Sequence, residues 1–394
     1  MNILLVSFLK PDAPSGVRVH YVQLAEQLRQ RGHHVDVVTP ATLTGPRRQQ
    51  VAALRHVLRR LGPVLRALST TVAYYLHIRW GIDSRRPYDV VNAQDLGSGQ
   101  AARQALGRRV PVVVTGHFNA HPAADDLRQT PRSGWAARTT ERWYAYLLAR
   151  TDYFIGVSAF GLGVVRGALP PHCLSRVVHN GVDLSRGHAA VPATLRQRFP
   201  GRHILLNIGQ LETRKNQLLL VHAAHALHQQ RQDFVVGLVG KGEDEPLLRQ
   251  CIADYGLEEV VVLLGYHAEV QPLLHCADLY VHVATHETFG LVLVEAMAAG
   301  VPVLALAVGG VPEVLGATPT ALLQPSISPV GLAGVLNRWL DAPALRKRLS
   351  QEQAAYAATH FGVGQMVDAT LNFYEQVRQH FHASPAAARP ELVN

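Results

Sequence analysis

The chain predicts an α/β fold with two doubly wound parallel sheets, and three observations carry that reading. Short apolar runs that end in glycine or polar loops recur along it, as strands buried on both faces require. They alternate with longer segments whose apolar residues return at helical spacing, the βαβ rhythm of a parallel sheet. The series starts twice, at Asn2 and again at Ile204, with an irregular stretch at residues 184–200 broken by Pro192 and Pro200. A length of 394 residues with 48% hydrophobic content suits two such domains.

Asn2 to Phe8 reads as the first strand and Pro11 to Gly16 as a loop. Val17 to Arg31 is then an amphipathic helix stopped by Gly32, and Val35 to Thr39 a second strand. Ser15-Gly16 at the helix start allows close backbone approach and presents N–H groups. From Arg47 to Leu68, apolar residues from Val51 to Leu68 return at helical spacing, while Arg48, Arg55, Arg59, Arg60 and Arg66 fill the other face. Gly62-Pro63 divides this stretch. It either packs on the core with a solvated arginine face or lies on an anionic membrane surface. Tyr88 to Asp95 is the next strand and its loop. Gly97-Ser98-Gly99-Gln100-Ala101-Ala102 fits a dinucleotide pattern, yet it lies too far into the domain to be the first βα turn. Val110 to Thr115 is a strand, and Gly116-His117-Phe118 falls at its carboxyl end, where ligands of such sheets gather. Asp152 to Ser158 is another strand, and Val177 to Asp183 closes the domain around the Asn180-Gly181 turn.

The second series runs from Ile204–Ile208 into Gly209-Gln210-Leu211-Glu212-Thr213-Arg214-Lys215-Asn216 and a helix. Val235–Val239 leads into Gly240-Lys241-Gly242-Glu243, and Val260–Leu264 into Gly265-Tyr266-His267. Asp278 to Val281 precedes His286 to Val303, the stretch around which the chain is organised. There a loop gives way to a helix at Gly290, Gly300 and Pro302 stop it, and Val303 to Leu306 forms a buried strand. Glu287 falls just before the helix and Glu295 about one turn inside it. The N–H groups of Phe289, Gly290 and Leu291 lie at a positive helix end that suits a phosphate, with a carboxylate on either side to accept from hydroxyls. That arrangement fits a sugar joined to a nucleoside through a diphosphate. The plainer alternative makes Glu287 a helix cap and Glu295 part of a solvated face.

Glu287 and Glu295, separated by seven residues around Phe289-Gly290 and followed by Gly309-Gly310-Val311-Pro312-Glu313, resemble the paired-glutamate motif of family 4 retaining glycosyltransferases. The resemblance extends over most of the chain. It implies the GT-B fold, two Rossmann-like domains facing each other across a cleft. Domain limits would be 1–184 on the acceptor side and 185–364 on the nucleotide-sugar side, with a helix at 365–382 crossing back and a tail at 383–394. It implies transfer of a hexose-type sugar from a nucleotide-diphosphate sugar to a glycan or lipid-linked acceptor, with retention of configuration. His117 would lie near the sugar's primary hydroxyl and Glu287 would hold sugar hydroxyls. Glu295 would hold the ribose, and Gly16, Lys215, Phe289, Gly290 and Leu291 would surround the diphosphate. Gly240, Tyr266 and His267 would border the nucleoside. Four positions depart from the pattern. Gln210 stands where the family has an arginine and cannot supply its charge, leaving Arg214 as a candidate to compensate. One glycine, Gly16, stands where many relatives have two, and Asn92 and Gln94 stand where relatives often carry histidines.

No Asp-x-Asp occurs, so neither a metal nor another cofactor is expected, and Lys215 with a nearby arginine would meet the leaving diphosphate. The net charge of +9 is concentrated in Arg47–Arg86 and Arg128–Arg150, which suits an anionic membrane surface. No basic stacking platform points to nucleic acid. Cys173, Cys251 and Cys276 form no disulfide or zinc pattern, and no apolar run approaches the ~20 residues of a membrane span. A cytoplasmic protein at the inner face of the membrane, in polysaccharide or cell-envelope assembly, is the expected setting. A non-catalytic partner on the same fold, for which Gln210 argues, and a nucleotide-sugar epimerase remain the rivals.

Overall fold

The computed structural model describes residues 1–9, 15–130, 133–184, 194–316 and 318–383. Parts of the Pro11–Gly16 loop, of the irregular stretch at 184–200 and of the tail at 383–394 lie outside them. The chain divides into two compact units, Met1–Gly181 with Val363–Asn394, and Val182–Gly362.

The first unit holds a sheet of β1 (Asn2–Val6), β2 (His34–Val38), β3 (Val90–Ala93), β4 (Val112–Gly116), β5 (Tyr153–Gly156) and β6 (Leu174–Val177). Its order is β2-β1-β3-β4-β5-β6 and every pairing is parallel. Strand periodicity of two sends alternate residues to opposite faces. Leu4, Val6, Val91, Val112 and Val114 join one core with the Leu96–Leu106 helix, Leu147 and Leu148. Ile3, Leu5, Val90, Val113 and Ile155 join the other, with Leu24 and Leu28 of the Gly16–Gln30 helix and Met366, Phe373, Tyr374 and Val377 of the Val363–Ala383 helix.

The second unit holds β7 (His203–Ile208), β8 (Phe234–Val239), β9 (Val261–Gly265), β10 (Leu279–His282), β11 (Val303–Leu306) and β12 (Leu322–Leu323). Their order is β12-β11-β10-β7-β8-β9, again all parallel. In both sheets the chain starts inside the sheet and reverses its direction of growth once. That reversal, where ligands of open α/β sheets sit, falls between β1 and β3 in the first and between β7 and β10 in the second.

The structure sharpens one sequence reading and changes another. The Gly97–Ala102 run is not a phosphate turn, because it lies inside the Leu96–Leu106 helix, whose start is already capped by Asp95 accepting from Ser98 N at 2.6 Å. Its glycines serve packing, since a Cβ on Gly97 would meet the Phe8 ring at 2.5 Å and one on Gly99 would meet Val114 at 3.1 Å. The basic stretch is two helices, Gly45–Arg60 and Pro63–Gly81, turned at Gly62 (φ +119°). Of the first helix only Val51 is buried, while Leu54, Val57, Leu61 and Leu65 stay exposed, so the stripe is not packed on the core.

Candidate functional site

The second sheet builds a charged site at its point of reversal. After β7 the chain makes a tight turn over Thr213–Lys215, and Asn216 follows in the left-handed region (φ +55°), which asparagine tolerates. After β10 comes the Glu287 loop, and Gly290 (φ +84°) opens the Leu291–Ala298 helix. The two loops meet as Lys215 Nζ lies 2.6 Å from Glu287 Oε2. Glycines clear the way for both stems. A Cβ on Gly209 would touch Lys215 Cε at 3.4 Å, and one on Gly290 would press on Leu293 at 2.8 Å and Glu287 Cγ at 3.3 Å.

Burial pushes the Glu287 carboxyl up, but the charge of Lys215 and the adjoining His282 pull it further the other way. It is held well below the usual carboxylate range and stays ionised. His282, on β10, places Nε2 3.4 Å from the same oxygen, and burial lowers its own pKa. A neutral ring facing a carboxylate carries its proton on Nε2. Its Nδ1 stands 3.5 Å from the Tyr280 hydroxyl, which donates to the Ile208 carbonyl at 3.2 Å. The His282 ring thus lies beside the largely buried pair, and Tyr280 ties β10 to β7 next to it. Sequence inspection missed His282, whose position inside an apolar strand is its only signal.

Arg214 is directed elsewhere. Its guanidinium donates to Glu212 at 2.6 Å and to the His286 carbonyl at 3.0 Å, while Thr285 N donates to the Arg214 carbonyl at 2.9 Å. Arg214 thus ties the two loops together. Gln210 is exposed, and its carbonyl accepts from Gln217 at 2.9 Å. Phe289 is buried beneath the loop and packs edge-on against Phe361, and Leu291 begins the helix in which Glu295 lies, half-buried. Gly240 and Gly242 are required by their neighbours. A Cβ would fall 1.9 Å from the Gly209 carbonyl in the first case and 2.1 Å from the Leu211 carbonyl in the second. Gly240 N donates to the Gly265 carbonyl at 2.8 Å, which aligns the loops after β7, β8 and β9. Tyr266 is exposed there, and His267 Nε2 donates to the Leu264 carbonyl of β9 at 3.1 Å.

The first sheet builds a site of another kind. His117, just past β4, faces Gln94 Oε1 at 3.1 Å, and Gln94 Nε2 donates to Asn92 Oδ1 at 2.6 Å. Thr115 donates to the same oxygen at 3.0 Å, and Asn92 Nδ2 donates to the Tyr374 hydroxyl at 2.6 Å. With the amides in this orientation the proton of His117 is on Nε2 and its Nδ1 offers a lone pair. The His20 ring lies edge-on, with centroids 5.0 Å apart. Burial lowers the His20 pKa to about 4, the Asn180 side chain pulling the other way. Burial, and then the nearby His20, hold His117 well below its usual value, so both rings are neutral near pH 7. Gly16 opens the helix that carries His20, with the Ser15 hydroxyl accepting from Val17 N at 3.3 Å. Gln94, Asn92 and His20 belong to the site and were missed as such. A lone polar residue in a strand end or an amphipathic helix carries no sequence signal of burial.

Two family models cover most of the chain, Glycosyltransferase Family 4 over residues 14–186 and Glycosyl transferases group 1 over residues 196–356. A D-inositol 3-phosphate glycosyltransferase of Streptomyces bingchenggensis is 30% identical over 392 residues, covering 92% of this chain and 84% of the relative. The alpha-D-kanosaminyltransferase of Streptomyces kanamyceticus is 27% identical over 73% of this chain and 77% of its own. Among solved structures, HepE of Anabaena in complex with UDP-glucose superposes with a TM-score of 0.70 at 22% identity, over 95% of this chain and 99% of that one. The chain belongs to the family 4, group 1 glycosyltransferases and has their two-domain GT-B fold.

Proposed function

We propose that this glycosyltransferase moves a sugar from a nucleoside-diphosphate donor to a hydroxyl of a polyhydroxylated acceptor, with retention of configuration and without a metal. The observation that carries the reading is the buried Lys215–Glu287 pair, 2.6 Å apart across the reversal of the second sheet. A cation fixed there offsets the charge that gathers on a departing diphosphate, a task otherwise given to a metal. The Leu291–Ala298 helix adds its N-terminal dipole through Phe289, Gly290 and Leu291. Glu287, kept ionised, accepts from hydroxyls of the transferred sugar, and Glu295 from the ribose. Gly240, Tyr266 and His267 border the base. We assign His117 to the reacting sugar and the glycine turn at Gly16 to the diphosphate.

A UDP-hexose is the donor we favour, because HepE was solved with UDP-glucose. Relatives named for D-inositol 3-phosphate and, in Streptomyces kanamyceticus, for 2-deoxystreptamine support a cyclitol or sugar ring as acceptor, free or carried on a glycan or lipid. Among the described residues no helix is long and apolar enough to cross a membrane. The exposed Leu54, Val57, Leu61 and Leu65, with arginines beside them, support docking on an anionic membrane surface.

The test is release of nucleoside diphosphate from UDP-, GDP- and ADP-sugars in the presence of EDTA, with the anomeric configuration of the product read by NMR. Donor-specific release that survives EDTA and yields a retained product is expected. An inverted product, or turnover that EDTA abolishes and a divalent ion restores, would overturn the mechanism. Binding of no nucleotide sugar would overturn the function.

A further inference from the structure

Where the Gly45–Arg60 and Pro63–Gly81 helices lean over the end of β2 they enclose a groove of about 770 Å³. Three guanidinium groups line it, those of Arg48, Arg55 and Arg59, together with His56, His77 and Tyr74, and none of its lining residues is acidic. Like charges gathered in one concavity repel each other, so folding alone gives no reason to assemble them. Arg55 adds an independent sign. One of its nitrogens donates to the Thr70 hydroxyl at 3.2 Å, whereas Nε is buried with no hydrogen-bond partner among the described residues. A buried guanidinium N–H without an acceptor is costly, and a ligand oxygen would satisfy it. The planar forks of arginine pair bidentately with carboxylate and with phosphate, and of the two a doubly charged phosphate monoester has the oxygens and charge to engage several guanidinium groups at once.

We infer that this groove is a binding site for a phosphate monoester, either on a small soluble molecule or as the headgroup of an anionic lipid. It shares no residue with the Lys215–Glu287 site and does not depend on how the transfer reaction proceeds. Pro40 and Ala41, which also line it, follow the carboxyl end of β2, the edge on which the first sheet displays His117. A phosphate held there anchors a molecule on the same rim as that histidine.

Binding of glycerol 3-phosphate by calorimetry, and of vesicles of phosphatidylcholine with and without phosphatidic acid by flotation, tests the site. The wild type is compared with Arg48→Gln/Arg59→Gln, both exposed positions in the groove. The control is Arg47→Gln/Arg60→Gln, which removes equal charge from the same helix outside the groove. Circular dichroism checks that each pair keeps its fold. The groove pair should bind at least about tenfold more weakly while the control stays within about twofold. Saturable glycerol 3-phosphate binding with that pattern assigns a soluble ligand, and the same pattern with phosphatidic acid vesicles alone assigns a headgroup. Equal losses in both pairs would reduce the groove to diffuse surface charge, and no binding of either probe by the folded wild type would overturn the site.

Discussion

The two sheets solve the same topological problem with opposite chemistry. Each reverses once, and polar side chains gather at the reversal in the second sheet and one strand over, between β3 and β4, in the first. In the second sheet those side chains are a largely buried ion pair, Lys215 and Glu287, with the His282 ring beside it. In the first they are uncharged, His117, Gln94 and Asn92 tied to Tyr374. A charged site suits a ligand whose charge changes during reaction, as a leaving diphosphate does. A neutral relay with a fixed imidazole tautomer suits hydroxyl groups, which need an oriented donor and acceptor and no net charge. The fold places the sites, and burial with its partners decides what each can bind.

Removing the cation should break the contrast most severely. In Lys215→Ala the Glu287 carboxylate is left buried and unpaired, at a cost of about 3–5 kcal/mol. Turnover should fall about a hundredfold or more. Denaturant unfolding and steady-state rates measure both. A Lys215→Ala/Glu287→Gln double variant should recover part of the stability and none of the activity. If both variants unfold at the wild-type midpoint, the pair is not buried as described.

Acidification should strike the neutral site. The folded pKa of His20, about 4, lies below its unfolded value of 6.5, so the unfolded chain binds more protons between them. Stability from this group is complete above pH 6.5 and drains away as the pH falls towards about 4, by about 3 kcal/mol in all. Unfolding curves across that window should flatten in His20→Gln. An unchanged slope would mean that His20 is hydrated in the native state.

Gln94 sharpens the comparison from the positioning side. Gln94→Leu should lower kcat about tenfold with little change in donor KM, because His117 loses the group that fixes its tautomer. Gln94→Glu keeps an acceptor for Nε2 and, by its charge, should raise the His117 pKa and move the acid limb of the rate profile upward. A uniform loss in both, with no shift in the profile, would leave Gln94 a packing residue. The smallest effect belongs to Arg214. Its pair with Glu212 is partly exposed, so Arg214→Ala should cost less than about 1 kcal/mol, while a larger loss in diphosphate affinity would show that it turns towards the ligand.

What the sequence revealed follows the same division. Strands such as Ile204–Ile208 and Val235–Val239 announce themselves because burial on both faces demands unbroken apolar runs. Glu287, Lys215 and their glycines stand out because charge beside a helix start is chemically suggestive. β6, with Ser175 and Arg176 at a half-buried sheet edge, has no such run and went unseen. The relay through Gln94 and Asn92 was equally hidden, since only the register of β3 beside β4 brings Asn92 and Thr115 together. The glycine pattern at Gly97 could be set aside by its place in the chain, although tight helix packing and phosphate binding ask for the same residue. The arginine helices were legible as amphipathic, but not that their apolar stripe stays uncovered.

Titration of UDP against the wild type, Lys215→Ala and Gln94→Leu bears most directly on the division between a charged donor site and a neutral one. The account expects Lys215→Ala to weaken UDP binding at least about tenfold and Gln94→Leu to leave it within about twofold. Equal losses in the two variants, or a larger loss in Gln94→Leu, would contradict it.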